Sequence, residues 1–178
     1  TDINATPRGK RIPVEALEKL AKGVALPVST ITLDTKGNVV ESAGLGEDLG
    51  EPDNLCMPIA GSLLPTAKPH TGQLLFTMMD DSGEQPNPLF IRNIIEKMLS
   101  QLQQRDMYPC VALELEFYLI DKQRGEHGQL QTAINPTKHT REKDTEVYDI
   151  DGLDDYADFL RDLNAAADAQ GLNTAGAL

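Results

Sequence analysis

The chain has 178 residues, 40% of them hydrophobic, and its 28 acidic against 16 basic side chains give a net charge of −12. That is enough apolar material for one ordinary domain or two small ones, and the charge argues against a nucleic-acid backbone or an anionic membrane as the main partner. Cys56 and Cys110 have no metal-type spacing and read as reduced core residues of a cytoplasmic protein, no apolar run reaches the roughly 18 residues of a membrane span, and no signal peptide is read at the start.

The chain opens on Thr1 in a turn-like segment, Asp2-Ile3-Asn4-Ala5-Thr6-Pro7-Arg8-Gly9-Lys10, so an upstream strand and a continuation beyond Leu178 are expected. Pro13 at a first helical position, apolar Val14, Leu17, Leu20 and Ala21, and Gly23 as a stop predict a short helix. Val28 to Leu33 and Asn38 to Glu41 read as strands flanking the turn Asp34-Thr35-Lys36-Gly37. Ala43 to Pro69 is rich in glycine and proline and is expected to be mostly irregular, with a later strand over Gly72 to Met79. His70, in a Pro-His-Thr-Gly turn, carries no signal. The pattern is a small α+β unit.

A polar, proline-punctuated stretch from Asp80 to Asn87 predicts a domain boundary near Gln85, giving domains 1–85 and 86–178. Asn87 and Pro88 then suit the start of a helix whose apolar Ile91, Ile94, Ile95, Met98 and Leu102 recur at helical spacing and read as core.

After Tyr108-Pro109 comes Val111-Ala112-Leu113-Glu114-Leu115-Glu116-Phe117-Tyr118-Leu119-Ile120-Asp121, an alternating, β-prone run. In a strand Leu113, Leu115, Phe117 and Leu119 share one face, and Glu114 and Glu116 share the other, roughly 6.5 to 7 Å apart. Two carboxylates so placed repel unless a cation lies between them, and Mg²⁺ or Mn²⁺ prefers such oxygen ligands. A strand with a wet face carrying two glutamates is the alternative.

From Lys122 to Tyr148 the chain is polar and too long for a routine connection, either a functional flap or disordered. His127 and His139 lack partners at ligand spacing and read as exposed. Arg124, Lys138, Arg141 and Lys143 read either as phosphate-meeting cations or, more commonly for such a run, as a solvated face. A last helix places Leu153, Tyr156, Leu160, Leu163 and Ala167 on one face, with Asp154, Asp155 and Asp158 at its positive N-terminal end. Gly171 ends it, and Leu172 to Ala175 could begin a strand.

Glu114-x-Glu116-Phe117, the opening Asp-x-Asn-x-x-x-Arg-Gly-Lys run and Tyr148-Asp149-Ile150-Asp151-Gly152-Leu153-Asp154 together resemble the glutamine synthetase family. Ala5 departs from the glycine usual in the opening run, which implies a different turn type or strain. The resemblance implies a β-grasp-like N-terminal domain followed by the first strand and helices of a glutamine synthetase-type catalytic domain. It implies an ATP-dependent ligase that joins glutamate to an amine through a γ-glutamyl phosphate, in a homo-oligomeric ring, with ATP as substrate and Mg²⁺ or Mn²⁺ as cofactor. Glu114 and Glu116 carry over as one ligand to each of two metals. Most other functional residues of the family lie past Leu178, so this chain alone is expected to be inactive, with no catalytic residue of its own. Gly23 to Thr30 matches the loop in which ammonium-using members carry an aspartate. Ser29 and Thr30 stand there without one, either as substrate-binding residues or as ordinary strand residues. With the N-terminal segment, this resembles the γ-glutamylputrescine synthetase branch, with putrescine as the amine, over glutamine synthetase using ammonium. A non-catalytic β-grasp interaction module is the reading from another class.

Overall fold

Val24, Cys56 and Met78 form one row across a three-stranded antiparallel sheet, ordered β1 (Val24–Pro27), β2 (Asp53–Pro58), β5 (Phe76–Met78). The computed structural model describes residues 1–144 and 147–176. It divides into two units, Thr1–Leu63 with Gln73–Cys110, and Leu64–Gly72 with Val111–Leu178.

In the first unit Pro13 precedes a 3₁₀ turn, Val14–Ala16, that runs into the short helix α1 (Leu17–Leu20). Gly23 ends it at φ +86°, where a Cβ would lie 2.6 Å from the Leu55 side chain, so conformation and space both require glycine. The core is Val28, Ile31, Cys56 and Met78, with Leu26, Leu45, Phe76 and Phe90 packed against it.

Four expectations are corrected here. Val28–Ile31 is a 3₁₀ turn, and the strand lies just before it in β1; the Thr30 hydroxyl donates to the Pro27 carbonyl at 2.6 Å and closes that turn. The turn at Asp34–Gly37 forms, with Asp34 Oδ1 accepting from the amides of Lys36 and Asn38, but its arms meet only in a single Leu33–Val39 bridge. The stretch expected to be irregular contains β2, the central strand, with Asn54 and Cys56 turned inward. Phe76–Met78 is separate from β4 (Gly72–Gln73), which pairs with β3 (Leu64–Pro65) in a small sheet of its own.

Helix α2 (Ile91–Gln103) starts three residues after Pro88, because Asn87 closes a turn of its own, its Oδ1 accepting from the Leu89 amide. The stripe read as core is not buried: Ile94, Ile95 and Met98 are exposed, and Asn93 is the buried residue of the helix. Its amide donates to the carbonyls of Met78 and Asn87, both at 2.9 Å, and its Oδ1 accepts from Thr77. These bonds tie α2 to β5, and both lie in the first unit, which runs to Cys110.

The second unit contains α3 (Ile150–Asp155) and α4 (Ala157–Asp168), the expected last helix broken at Tyr156. Asp149 caps α3, its Oδ2 accepting from the Gly152 amide at 3.0 Å. Among the described residues of this unit only Asn135 is buried. Leu172 to Ala175 forms no strand. Among the described residues no helix is long and apolar enough to cross a membrane.

Candidate functional site

The segment carrying Glu114 and Glu116 is not part of a sheet. Residues 107–119 belong to no helix or strand, and Leu113 and Leu115 are 91% and 81% exposed, which corrects the expected strand. Alternation fits a β-strand, but a strand exists only where a neighbour supplies the other half of its hydrogen bonds. Among the described residues no segment does so here. Phe117 anchors the run at one point, meeting Phe159 of α4 edge-to-face with ring centroids 6.1 Å apart.

Both glutamates are exposed. As hard oxygen donors they suit Mg²⁺ or Mn²⁺ in kind, but such ions take about six oxygen ligands. Among the described residues no group of three His, Cys, Asp or Glu side chains is gathered to hold an ion. The donor set is therefore right in chemistry and short in number, and no chemical step is derived through it.

Ser29 is buried, its hydroxyl 3.4 Å from Glu51 Oε1, while Thr30 is committed to Pro27. Neither stands near the glutamate run in the chain, and the two pairs belong to different units. The opening run is structural. Asp2 is fully buried, Oδ1 accepts from the amides of Asn4 and Thr6 at 2.9 Å, and Oδ2 accepts from Arg8 Nε at 2.8 Å. Burial pushes its pKa up, yet the Arg8 hydrogen bond and the two amides outweigh that and hold the carboxyl below its ordinary range. Ala5 keeps the left-handed backbone, φ +61°, that the family's glycine would adopt freely.

The polar stretch Lys122 to Tyr148 is ordered over its described part, residues 145 and 146 lying outside it. Bridges join Ile120 to Thr132 and Ile134 to Arg141. Asn135 donates to Glu142 Oε1 at 2.6 Å and Asp155 Oδ2 at 2.7 Å and accepts from the amides of Thr137 and Lys138. Two of the four cations read as phosphate-meeting are paired: Arg141 with Asp121 at 2.9 Å and Lys138 with Asp155 at 3.0 Å. The Asn135 and Lys138 hydrogen bonds hold the Asp155 carboxyl below its usual range. Sequence reasoning passed over Asn135, although Asn135-Pro136 is a recognised turn signal. Beside this network lies a cavity of about 550 Å³, lined in part by Leu119, Ile134, Tyr156, Phe159 and Asp158, and Glu114 and Glu116 do not line it.

Residues 90–178 match the family described as glutamine synthetase, catalytic domain, which is half of the chain. The chain belongs to the glutamine synthetase family. Over its whole length it is also 45% identical to gamma-glutamylputrescine synthetase PuuA of Escherichia coli (strain K12), and it spans 38% of the length of that relative. No solved structure matches it. For this glutamine synthetase-family chain, the catalytic-domain match begins at Phe90, just before α2, and covers the Glu114–Glu116 run and the Asn135 network. The opening Asp2–Arg8 turn and the three-stranded sheet lie outside that match and are covered by the similarity to the relative.

Proposed function

We propose that this chain is part of an ATP-dependent glutamate–amine ligase whose acceptor is putrescine. The observation that carries this reading is the 45% identity, over every residue of the chain, to a relative named as a gamma-glutamylputrescine synthetase. In this reading ATP phosphorylates the side-chain carboxylate of glutamate, and the amine displaces phosphate to form the amide. Glu114 and Glu116 serve as ligands for Mg²⁺ or Mn²⁺, completed by groups beyond the described ones. An ion held by these two carboxylates would supply positive charge against phosphate. The glutamates' contribution is to place two hard oxygen donors on one face once the run is paired as a strand.

The finer parts of the proposal follow the family. The first 85 residues form a β-grasp-like domain, 86–178 begins the catalytic domain, and the complete protein is a cytoplasmic ring oligomer. This chain by itself is inactive. Ser29 and Thr30, standing where ammonium users carry an acidic residue, leave an uncharged acceptor region that favours a larger amine over ammonium. A second reading, an interaction module without catalysis, draws on the exposed apolar run, in which Val111, Leu113 and Leu115 are each at least 80% exposed.

The test uses the complete protein that contains this chain, with ATP, glutamate and Mg²⁺, and measures phosphate release with each amine. The ligase reading predicts release that depends on putrescine and is weaker with ammonium. No phosphate release with any amine would favour the interaction module.

A further inference from the structure

The first unit holds a cleft of about 470 Å³. Its size lies within the roughly 300–1,000 Å³ of ligand pockets. One wall is Ile91, Ile95 and Leu99, spaced i, i+4, i+8 on a single face of α2, and Leu26 of β1 and Phe76 of β5 also line it. Ile91 and Ile95 belong to the stripe that the sequence assigns to the core, and Ile95, lining the cleft, remains 52% exposed. Cys56 and Met78, both almost wholly buried, also line it.

The charge of the lining runs against that of the chain. Arg8, Lys10 and Arg92 line the cleft with Glu96 as the one acidic side chain, whereas the whole chain has 28 acidic against 16 basic residues. Two of these cations are held in place. Lys10 Nζ donates to the Ala25 carbonyl at 2.6 Å, and Arg8, bound to Asp2, keeps a quarter of its side chain exposed. An ammonium with one such contact and a guanidinium that meets Asp2 through Nε and one Nη retain further donors for an anionic head group.

We propose that this cleft binds an amphiphile with a straight alkyl chain and a single carboxylate, the chain along the α2 stripe and the carboxylate among Lys10, Arg8 and Arg92. The site is separate from the metal-binding part of the ligase reading, since Glu114 and Glu116 do not line it, whereas Thr30 of the proposed acceptor region does.

The test is calorimetric titration of the complete protein that contains this chain with dodecanoate below its micelle concentration, beside dodecylammonium, which has the same tail and the opposite charge. This chain's net charge of −12 favours the ammonium at long range, so preference for the carboxylate reports the local cations. The expected result is saturable one-to-one binding of dodecanoate, with dodecylammonium at least about tenfold weaker. Arg92→Glu and Ile95→Asp, both on the accessible side of α2, each weaken dodecanoate by about tenfold or more, with the circular dichroism of the protein retained. Equal binding of the two amphiphiles, affinity indifferent to Arg92→Glu, or no binding overturns the proposal. The unsubstituted comparison decides by itself if a variant fails to fold.

Discussion

Arg8 closes on Asp2 with its guanidinium 2.7 Å from a carboxylate that has no solvent exposure. The pair locks the opening turn, whose Ile3 amide donates to the Ile31 carbonyl and whose Asn4 side chain donates to the Leu33 carbonyl. A glutamine synthetase-family motif thus acts here as a staple across the first unit.

Acid unfolding should report this staple. The Asp2 carboxyl is held below its ordinary value in the folded chain, so its stabilising contribution is fully present above the unfolded pKa of about 3.9 and is lost as pH falls through the folded pKa. Asp2→Asn is expected to lower the melting temperature at pH 7 and to flatten its fall below pH 4. Thermal melts from pH 2 to 7 check this, and identical curves for both proteins would contradict it.

Ala5 offers a stabilising change. A left-handed backbone costs a non-glycine residue about 1–2 kcal/mol, and glycine returns part of that through its freer unfolded chain. Ala5→Gly should therefore raise stability by about 0.5–1 kcal/mol, or roughly 2 °C in melting temperature. A lower melting temperature would mean that the turn is relaxed as it stands.

The second unit should depend on a polar residue. Asn135 is 1% exposed and is the buried member of that unit among the described residues. Asn135→Ala leaves Glu142 and Asp155 facing each other without the amide that joins them, an expected loss of about 2–3 kcal/mol. Urea denaturation measures it, and amide exchange should accelerate first over residues 132–142. A loss below about 0.5 kcal/mol would place the unit's stability elsewhere.

Legibility of the fold followed how local the cause was. The stop of α1 at Gly23, the Asp34 turn and the existence of α2 rest on residues next to one another in sequence, and the structure has them. The Val28 segment was misread because apolar β-branched residues suit a strand or a buried 3₁₀ turn equally, and the Thr30–Pro27 bond that decides between them leaves no periodic trace. Strand β2 was hidden because its inward residues include Asn54, a polar side chain satisfied by the Met79 carbonyl twenty-five residues away. The apolar stripe of α2 is legible as a stripe, but what it faces is a matter of tertiary placement. Glu114 and Glu116 are legible as two carboxylates two residues apart, whereas the strand that would turn them to one face requires a partner that the run itself cannot specify.

The metal reading makes a separable claim. Glu116 is exposed, so Glu116→Gln should change the stability of the complete protein by less than about 0.5 kcal/mol. Its affinity for Mn²⁺ should fall by at least about tenfold, since one charged oxygen donor is lost. Paramagnetic titration of Mn²⁺ checks this, and unchanged affinity would remove Glu116 from the ligand set.

Product identity tests the ligase account most directly. The complete protein, incubated with ATP, Mg²⁺, glutamate and equal concentrations of putrescine and ammonium, should yield chiefly the γ-glutamyl amide of putrescine by mass spectrometry. Glutamine as the main product would contradict putrescine as acceptor, and the absence of any amide would contradict the ligase itself.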